Sequence, residues 1–340
     1  MGKKIKWGVL GNANIARVCV IPAIQKSSNG QVDALATRSP ERARQLATDH
    51  HIPRVYGTYD ALVADPEIQV IYIPLPNHLH CYWTLRALAA GKHVLCEKPL
   101  ACNAREAREM AASAKKAGLL LMEAFMYRFH PRSRRIKEMV AGGSLGVPVL
   151  VRAAFCYHME ENLLEGGECP RLQSKMGGGA LLDVGCYGVS VSRWLMGKEP
   201  VGVQGQAFYH ASGADVHFVG SLRFPDNGLA TLEASFISAL QQTYTILGTR
   251  RAIELPHNAF IPWQKEAEFI VRDQEAEAGE RQVIAGADEY QLMVEHFSDA
   301  VSGKVPLAFS PEESVRNMRV LDGLAEAAQT GRTILLDCSD

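Results

Sequence analysis

Two short motifs carry side chains able to move a proton, Cys96-Glu97-Lys98-Pro99 and Asp183-Val184-Gly185-Cys186-Tyr187. Reducing a carbonyl requires a hydride on carbon and a proton on oxygen, and a tyrosine hydroxyl such as that of Tyr187 can deliver the proton. Unaided, it is a weak acid at neutral pH. A nearby Lys98 cation would favour the phenolate and lower its pKa from about 10, while Asp183 could orient the pair. Each residue also has a plain structural reading. Lys98 is then a solvated loop charge, Tyr187 a half-buried helix residue, and Asp183 the N-cap of the helix that follows Gly177-Gly178-Gly179.

A third motif handles phosphate. Gly8-Val9-Leu10-Gly11-Asn12-Ala13-Asn14-Ile15-Ala16 follows the first apolar run and opens a helix, the place where a dinucleotide fingerprint has meaning. Gly11 makes the tight turn, Ala13 stands where a second glycine would let the backbone approach a ligand, and Ala16 lets the helix pack on a sheet. Asn12, Asn14 and Ile15 complete the candidate pyrophosphate cradle, since a helix N-terminus offers N–H groups and a positive dipole end. The alternative is a glycine turn that only connects strand to helix.

At the end of the second run the chain reads Ala36-Thr37-Arg38-Ser39, with no carboxylate to bind the ribose 2′-hydroxyl of NAD. Arg38, with the hydroxyls of Thr37 and Ser39, can instead surround a 2′-phosphate, so NADP is expected over NAD. Pro74, Asn77 and His80 follow the fourth strand and Glu97 and Lys98 the fifth, at carboxyl ends where ligands of open α/β sheets bind. His78 and His80 lie two apart, but no second ligand cluster supports a metal, and cofactor or structural contact is the expectation. Arg128 and Tyr157 are the substrate candidates.

These motifs need elements to position them. Residues 5–10, 32–37, 54–56, 70–73, 93–96 and 119–122 form short runs, mostly apolar throughout, that alternate with helical patterns, which predicts a doubly wound parallel (Rossmann) sheet covered on both faces. Ser39-Pro40 and Asn103 with Glu106 mark helix starts, and Gly118 a helix stop. Beyond Phe125 strand-like runs at 149–157, 201–209, 216–224, 229–237 and 243–247, with Pro225-Asp226-Asn227-Gly228 at hairpin spacing, predict a C-terminal α+β domain on a mostly antiparallel open sheet. Helices are expected at 288–302 and 311–330. The polar stretch 264–287 shows no clear pattern. The expected domains are 1–125, binding NAD(P), and 126–340, binding substrate and forming oligomers, with the last helix able to return to the first domain.

The opening turn, Pro76-Asn77-His78-Leu79-His80, Glu97-Lys98-Pro99 and Asp183-x-Gly185-x-Tyr187 occur in the order found in the glucose-fructose oxidoreductase, inositol dehydrogenase and rhizopine catabolism (Gfo/Idh/MocA) family, which the chain resembles over nearly its whole length. The resemblance places Lys98 beside the nicotinamide and the substrate hydroxyl, making it catalytic together with Asp183 and Tyr187. Tyrosine at 187, where many members have histidine, is similar to the branch holding glucose-fructose oxidoreductase, xylose dehydrogenases and dimeric dihydrodiol dehydrogenases, which mostly uses NADP. It implies alcohol–carbonyl interconversion on a sugar, polyol or cyclic diol, and a homodimer or higher homo-oligomer paired through the second sheet. Other readings are a non-catalytic cofactor-sensing regulator and a sugar transhydrogenase with tightly bound NADP.

Composition narrows the partners. In 340 residues, 36 basic and 37 acidic side chains leave a net charge of -1, so no global field draws the chain to nucleic acid or an anionic membrane. No apolar run approaches a membrane span, and Met-Gly-Lys-Lys leads straight into the first strand without a signal peptide. Eight cysteines without a C-x-x-C pair fit a reducing cytoplasm.

Overall fold

The computed structural model describes residues 4–37, 39–164, 169–273 and 278–337. They form two compact units, one of residues 1–129 with 288–315 and one of 130–287 with 316–340. Residues 126–129 and the helix Glu289–Val301 thus belong with the first unit, and the helix Pro311–Thr330 is divided at 315.

In the first unit six strands, β1 (Ile5–Leu10), β2 (Gly30–Ala36), β3 (Arg54–Tyr56), β4 (Val70–Ile73), β5 (His93–Cys96) and β6 (Leu121–Glu123), form a parallel sheet in the order β3-β2-β1-β4-β5-β6. The chain winds outward from β1 in one direction and from β4 in the other. Their carboxyl ends therefore diverge at a switch point, where open α/β sheets bind ligands. Val70, Ile71, Tyr72 and Ile73 are all buried, which is why the run lacks polar alternation.

Local chemistry fixes the helices. Ala104–Ala117 buries Ala104, Ala107, Met110, Ala111 and Ala114 on one face. Asn103 Oδ1 accepts from Glu106 N at 3.0 Å and Glu106 Oε2 from Cys102 N at 3.2 Å, so the expected capping box closes one residue early. Gly118, at φ 65, ends the helix in the left-handed conformation that glycine adopts at no steric cost. Asp288 caps Glu289–Val301 by accepting from Tyr290 N at 3.1 Å and Gln291 N at 3.0 Å. That helix sets Phe297 against Trp7 of β1, whose indole N–H donates to Ser298 Oγ at 3.2 Å.

The second unit holds β7 (Pro148–His158), β8 (Gly202–Tyr209), β9 (Asp215–Arg223), β10 (Leu229–Ser235), β11 (Ile237–Gly248), β12 (Arg251–Glu254), β13 (Ala267–Asp273), β14 (Glu280–Ile284) and β15 (Ile334–Leu335). Their order is β14-β13-β12-β11-β7-β10-β9-β8-β15, and β7 with β10 is the one parallel pair among them. Helix Cys186–Met196 lies on that central pair. A Cβ on Gly188 would sit 3.0 Å from Leu232 Cβ and 3.6 Å from Ala153 Cβ. The β9–β10 hairpin turns on Asp226 and Asn227, at φ 58 and 64, as a two-residue primed turn requires. The polar stretch after 264 resolves into β13 and β14. Ala267, Phe269 and Val271 point inward from β13, while β14 is an edge strand whose Arg281 pairs with Glu268. Charged side chains on an edge strand discourage pairing with another chain, and they also hide its strand character.

Candidate active site

At the switch point Gly11 adopts φ +94, and its N–H donates to Ala36 O at 2.7 Å, tying the turn to the end of β2. A Cβ there would meet Leu75 Cδ2 at 2.9 Å. The helix then opens at Asn14, whose Oδ1 accepts from Arg17 Nη2 at 3.0 Å, and passes through a wide π-type turn at Ala16–Val20. Ala13 and Ile15 are partly buried. Asn12 Oδ1 is shut away from solvent with no hydrogen-bond partner among the described residues. At the end of β2, Thr37 is buried and its Oγ1 accepts from Ser39 N at 3.2 Å. Ser39 occupies the N-cap position of Pro40–Asp49, but its side chain makes no capping hydrogen bond. Arg38 lies outside the described residues.

The loop after β5 is held at successive residues. Glu97 Oε1 accepts from Tyr72 Oη at 2.7 Å, and burial, reinforced by that carboxylate, pushes the Tyr72 phenol well up. Lys98 is partly buried, and the Lys98–Pro99 peptide is cis. Pro99 O lies 2.9 Å from His80 Nδ1, and Leu75 O lies 2.7 Å from His80 Nε2. Leu100 N donates to Glu123 Oε1 at 2.9 Å, from the end of β6. Burial pushes His80 down to about 4 against the pull of the two carbonyls, and pushes Glu123 up to about 7.

Two of these placements correct the sequence expectations. His80 is fully buried with both ring nitrogens facing carbonyl oxygens, so it has no free nitrogen for a dinucleotide or a metal. Arg128, a substrate candidate, is buried with its guanidinium forked onto Glu313, at 2.5 Å and 3.0 Å, and lies over the Phe309 ring at 4.7 Å. A substrate anion would have to displace that carboxylate. Pro74 is buried and Asn77 partly exposed, both beyond β4 as expected, while His78 is exposed. Among the described residues no group of three or more His, Cys, Asp or Glu could hold a metal, and no helix is long and apolar enough to cross a membrane.

In the second unit the three glycines form a packed seat. Gly177 adopts φ +72, a Cβ on Gly178 would meet Arg171 O at 2.5 Å, and Gly179, at φ +120, would place a Cβ 2.1 Å from Asp215 Oδ1. Asp215 fills that space and caps the next helix, its Oδ2 accepting from Leu181 N at 2.7 Å. Burial pushes Asp215 up to about 6, resisted by the backbone N–H groups it accepts from.

Asp183 is therefore not the N-cap. It lies inside the π-type turn Leu181–Gly185, its own N–H donating to Gly179 O at 2.9 Å, which leaves its carboxylate for side chains. Asp183 Oδ2 is 3.1 Å from Arg171 Nε and 3.4 Å from Tyr157 Oη. Such wide turns are frequent at functional sites. One turn on, Tyr187 is buried with its ring stacked on Phe155 at 5.0 Å and set edge-on to Phe260 at 5.7 Å. Buried Arg132 holds the backbone of that neighbour by donating to Ala259 O and, at 2.9 Å, to Phe260 O. Tyr157, Asp183 and Tyr187 thus share one wall of the second unit. Arg171, Asp215, Arg132 and Tyr72 were not singled out by sequence, because each acts through a partner distant in the chain.

Residues 5–125 match the family model described as "Oxidoreductase family, NAD-binding Rossmann fold", and 133–254 match the GFO/IDH/MocA C-terminal domain. An uncharacterized oxidoreductase of Rhizobium meliloti is 38% identical over 332 residues, 96% of this chain and 98% of the relative. The chain belongs to the GFO/IDH/MocA oxidoreductase family.

Relatives in this family include a D-xylose 1-dehydrogenase (NADP(+)) of Haloferax volcanii, 36% identical over 97% of this chain and 99% of the relative. A trans-1,2-dihydrobenzene-1,2-diol dehydrogenase of Xenopus tropicalis is 34% identical over 76% of this chain and 77% of its own length. Among solved structures, an aldose-aldose oxidoreductase from Caulobacter crescentus has TM-score 0.87 at 25% identity, covering 98% of this chain and 100% of that one. A 3-ketoreductase from Actinomadura kijaniata, solved with NADP and TDP-benzene, has TM-score 0.87 at 28% identity, covering 96% and 98%. As a GFO/IDH/MocA oxidoreductase the chain carries an NAD(P)-binding Rossmann domain, and its turn suits the pyrophosphate. Gly11 has no room for a Cβ, and a helix N-terminus with its free N–H groups follows.

Proposed function

We propose that this oxidoreductase interconverts an alcohol and a carbonyl on a sugar, polyol or cyclic diol, with NADP as its cofactor. The observation that carries this reading is the Glu97–Leu100 segment. It is held by buried side chains at the carboxyl edge of the same sheet that carries the Gly11 turn. The xylose and diol dehydrogenases and the NADP-bound ketoreductase among the relatives support the substrate class and the nucleotide.

In this reading residues 11–15 bind the pyrophosphate, Thr37, Arg38 and Ser39 the 2′-phosphate, and Pro74, Asn77 and Glu97 the remainder of the nucleotide. The bound nucleotide supplies the hydride acceptor or donor. Lys98 and Tyr187 manage the proton at the substrate oxygen, Tyr187 as the acid or base and Lys98 as the cation that favours its phenolate. Asp183, aimed by Arg171 and Tyr157, orients the substrate hydroxyls, and Tyr157 reaches the substrate from the same wall. Phe155 and Phe260 exclude water from one side of Tyr187, where a proton held by a single hydroxyl is most useful.

The likeness to an aldose-aldose oxidoreductase favours a second reading, in which one sugar is oxidised and another reduced without release of the nucleotide. Purified protein incubated with D-xylose or trans-1,2-dihydrobenzene-1,2-diol and added NADP separates the two. A stoichiometric rise in free NADPH absorbance supports the dehydrogenase. Product formed from paired sugars without added nucleotide supports the transhydrogenase, and neither result defeats both.

The proposal includes a homodimer in the cytoplasm. Phe208, Val219 and Leu229 stand exposed among Gln206, Arg223, Thr231 and Glu233 on one face of β8–β10, opposite the inward residues Phe218, Leu222 and Leu232, and such a mixed face suits a second copy. Seven described cysteines are free thiols, as a reducing compartment favours. Light scattering at micromolar concentration should give twice the chain mass, and a monomer would remove the dimer.

A further inference from the structure

Lys98 sits in a loop whose next two residues are gripped from different elements by buried side chains. On one side His80, at the start of the helix after β4, lies 2.9 Å from Pro99 O. On the other Glu123, at the end of β6, accepts from Leu100 N at 2.9 Å. Both side chains are almost fully buried, His80 at 0% exposure and Glu123 at 1%. A carboxylate and an imidazole are costly to bury, and the bonds that Glu123 Oε1 and the His80 ring make offset part of that cost.

The bonds these groups make end on the backbone of the Lys98 loop. His80 extends the same tie toward the nucleotide turn, since its other nitrogen faces Leu75 O and Leu75 packs where a Gly11 side chain would be. Gly11, Leu75, His80 and Pro99 thus form one continuous contact path. Tyr72 adds a third hold by donating to Glu97, the residue before Lys98.

We propose that His80 and Glu123 are positioning residues for Lys98, clamping the Pro99 carbonyl and the Leu100 amide so that the amine keeps one place relative to the nucleotide turn. This rests on the reading of Lys98 given above. Neither residue touches the reacting atoms; each acts through the backbone. Reacting groups must be placed to within a fraction of an ångström, and a displacement of about 1 Å can cost roughly a hundredfold in rate.

Three variants test the clamp. Glu123→Leu removes the acceptor at nearly constant volume, Glu123→Gln keeps an acceptor for Leu100 N–H, and Lys98→Ala reports on the reading itself. Each is assayed for turnover of D-xylose and trans-1,2-dihydrobenzene-1,2-diol with NADP and for NADPH affinity by calorimetry. The Glu123 variants are also crystallised without nucleotide. Glu123→Leu should lower kcat tenfold to a hundredfold, keep NADPH affinity within threefold and displace the Lys98 amine, and Glu123→Gln should restore most of the lost turnover.

Wild-type kcat or an undisplaced Lys98 in Glu123→Leu overturns the proposal, as does a Glu123→Gln variant impaired as badly as the leucine variant. If Lys98→Ala keeps wild-type turnover, the reading of Lys98 has failed and the clamp with it. A silent Glu123→Leu beside an inactive Lys98→Ala refutes the clamp alone. Should Glu123→Leu fail to fold, His80→Leu, which offers no donor to Pro99 O, carries the same test, read by kcat and by the place of the Lys98 amine.

Discussion

Replacing Gly179 with alanine should loosen the helix that carries Asp183 and Tyr187. The new Cβ would lie 2.1 Å from Asp215 Oδ1, where ordinary contact begins at 3.4 Å, so the carboxylate must retreat by about 1.3 Å. Such a retreat stretches the 2.7 Å bond from Leu181 N to about 4 Å, beyond hydrogen-bond range. Loss of a bond to a charged acceptor costs about 1.5–3 kcal/mol. Holding alanine at φ +120 adds about 1–3 kcal/mol of backbone strain. The sum is roughly 2.5–6 kcal/mol.

A double-mutant cycle separates the two contributions. In an Asp215→Ala background there is no carboxylate to displace, so Gly179→Ala should cost only the strain, and the coupling between the sites should be about 1.5–3 kcal/mol. Urea unfolding of the wild type, both single variants and the double variant, followed by circular dichroism, gives all four stabilities. A Gly179→Ala cost below about 1 kcal/mol, or an equal cost in both backgrounds, would refute the assignment of Asp215 as the cap that the glycine accommodates.

Lys98→Ala and Tyr187→Phe should each lower kcat by roughly 10²–10⁴ with NADPH binding largely intact, and the double variant should resemble the worse single one, because both serve one proton transfer. Stopped-flow hydride transfer reads this. Glu313→Gln should destabilise the chain by about 3–5 kcal/mol in urea by stranding the buried Arg128 charge. Glu123, held at about 7 against an ordinary 4.5, binds its proton more readily folded than unfolded. It therefore stabilises the fold below about pH 4.5, and that contribution, at most about 3 kcal/mol, is lost as pH rises through 7. Urea titrations of wild type and Glu123→Gln between about pH 5 and 8 should show the wild type gaining on the variant as pH falls. Arg38→Ala should weaken NADPH binding tenfold to a hundredfold and leave NADH unchanged by calorimetry.

The parallel sheet was legible because its central strands are buried on both faces, and runs such as Val70–Ile73 leave a continuous apolar signature. Strands β13 and β14 were not, since the half-exposed β13 and its edge neighbour β14 carry Glu268, Arg272, Glu280 and Arg281 among their apolar positions. The motifs pointed to the right loops, but the state of individual side chains depends on distant partners. Arg128 looked available because Glu313 lies 185 residues away. Asp183 looked like a helix cap because the true cap, Asp215, comes from a strand 34 residues beyond Leu181. His80 looked like a ligand because spacing does not reveal two carbonyl oxygens closing on its ring.

The most direct test of the central claim is single-turnover reduction of NADP by D-xylose or trans-1,2-dihydrobenzene-1,2-diol carrying deuterium at the carbon to be oxidised. Hydride transfer predicts that the deuterium appears in the reduced nucleotide, that NADP is used in preference to NAD, and that Lys98→Ala and Tyr187→Phe slow its appearance by roughly 10²–10⁴ while still binding NADPH. Solvent hydrogen in the reduced nucleotide, or full transfer in both variants, would contradict the account.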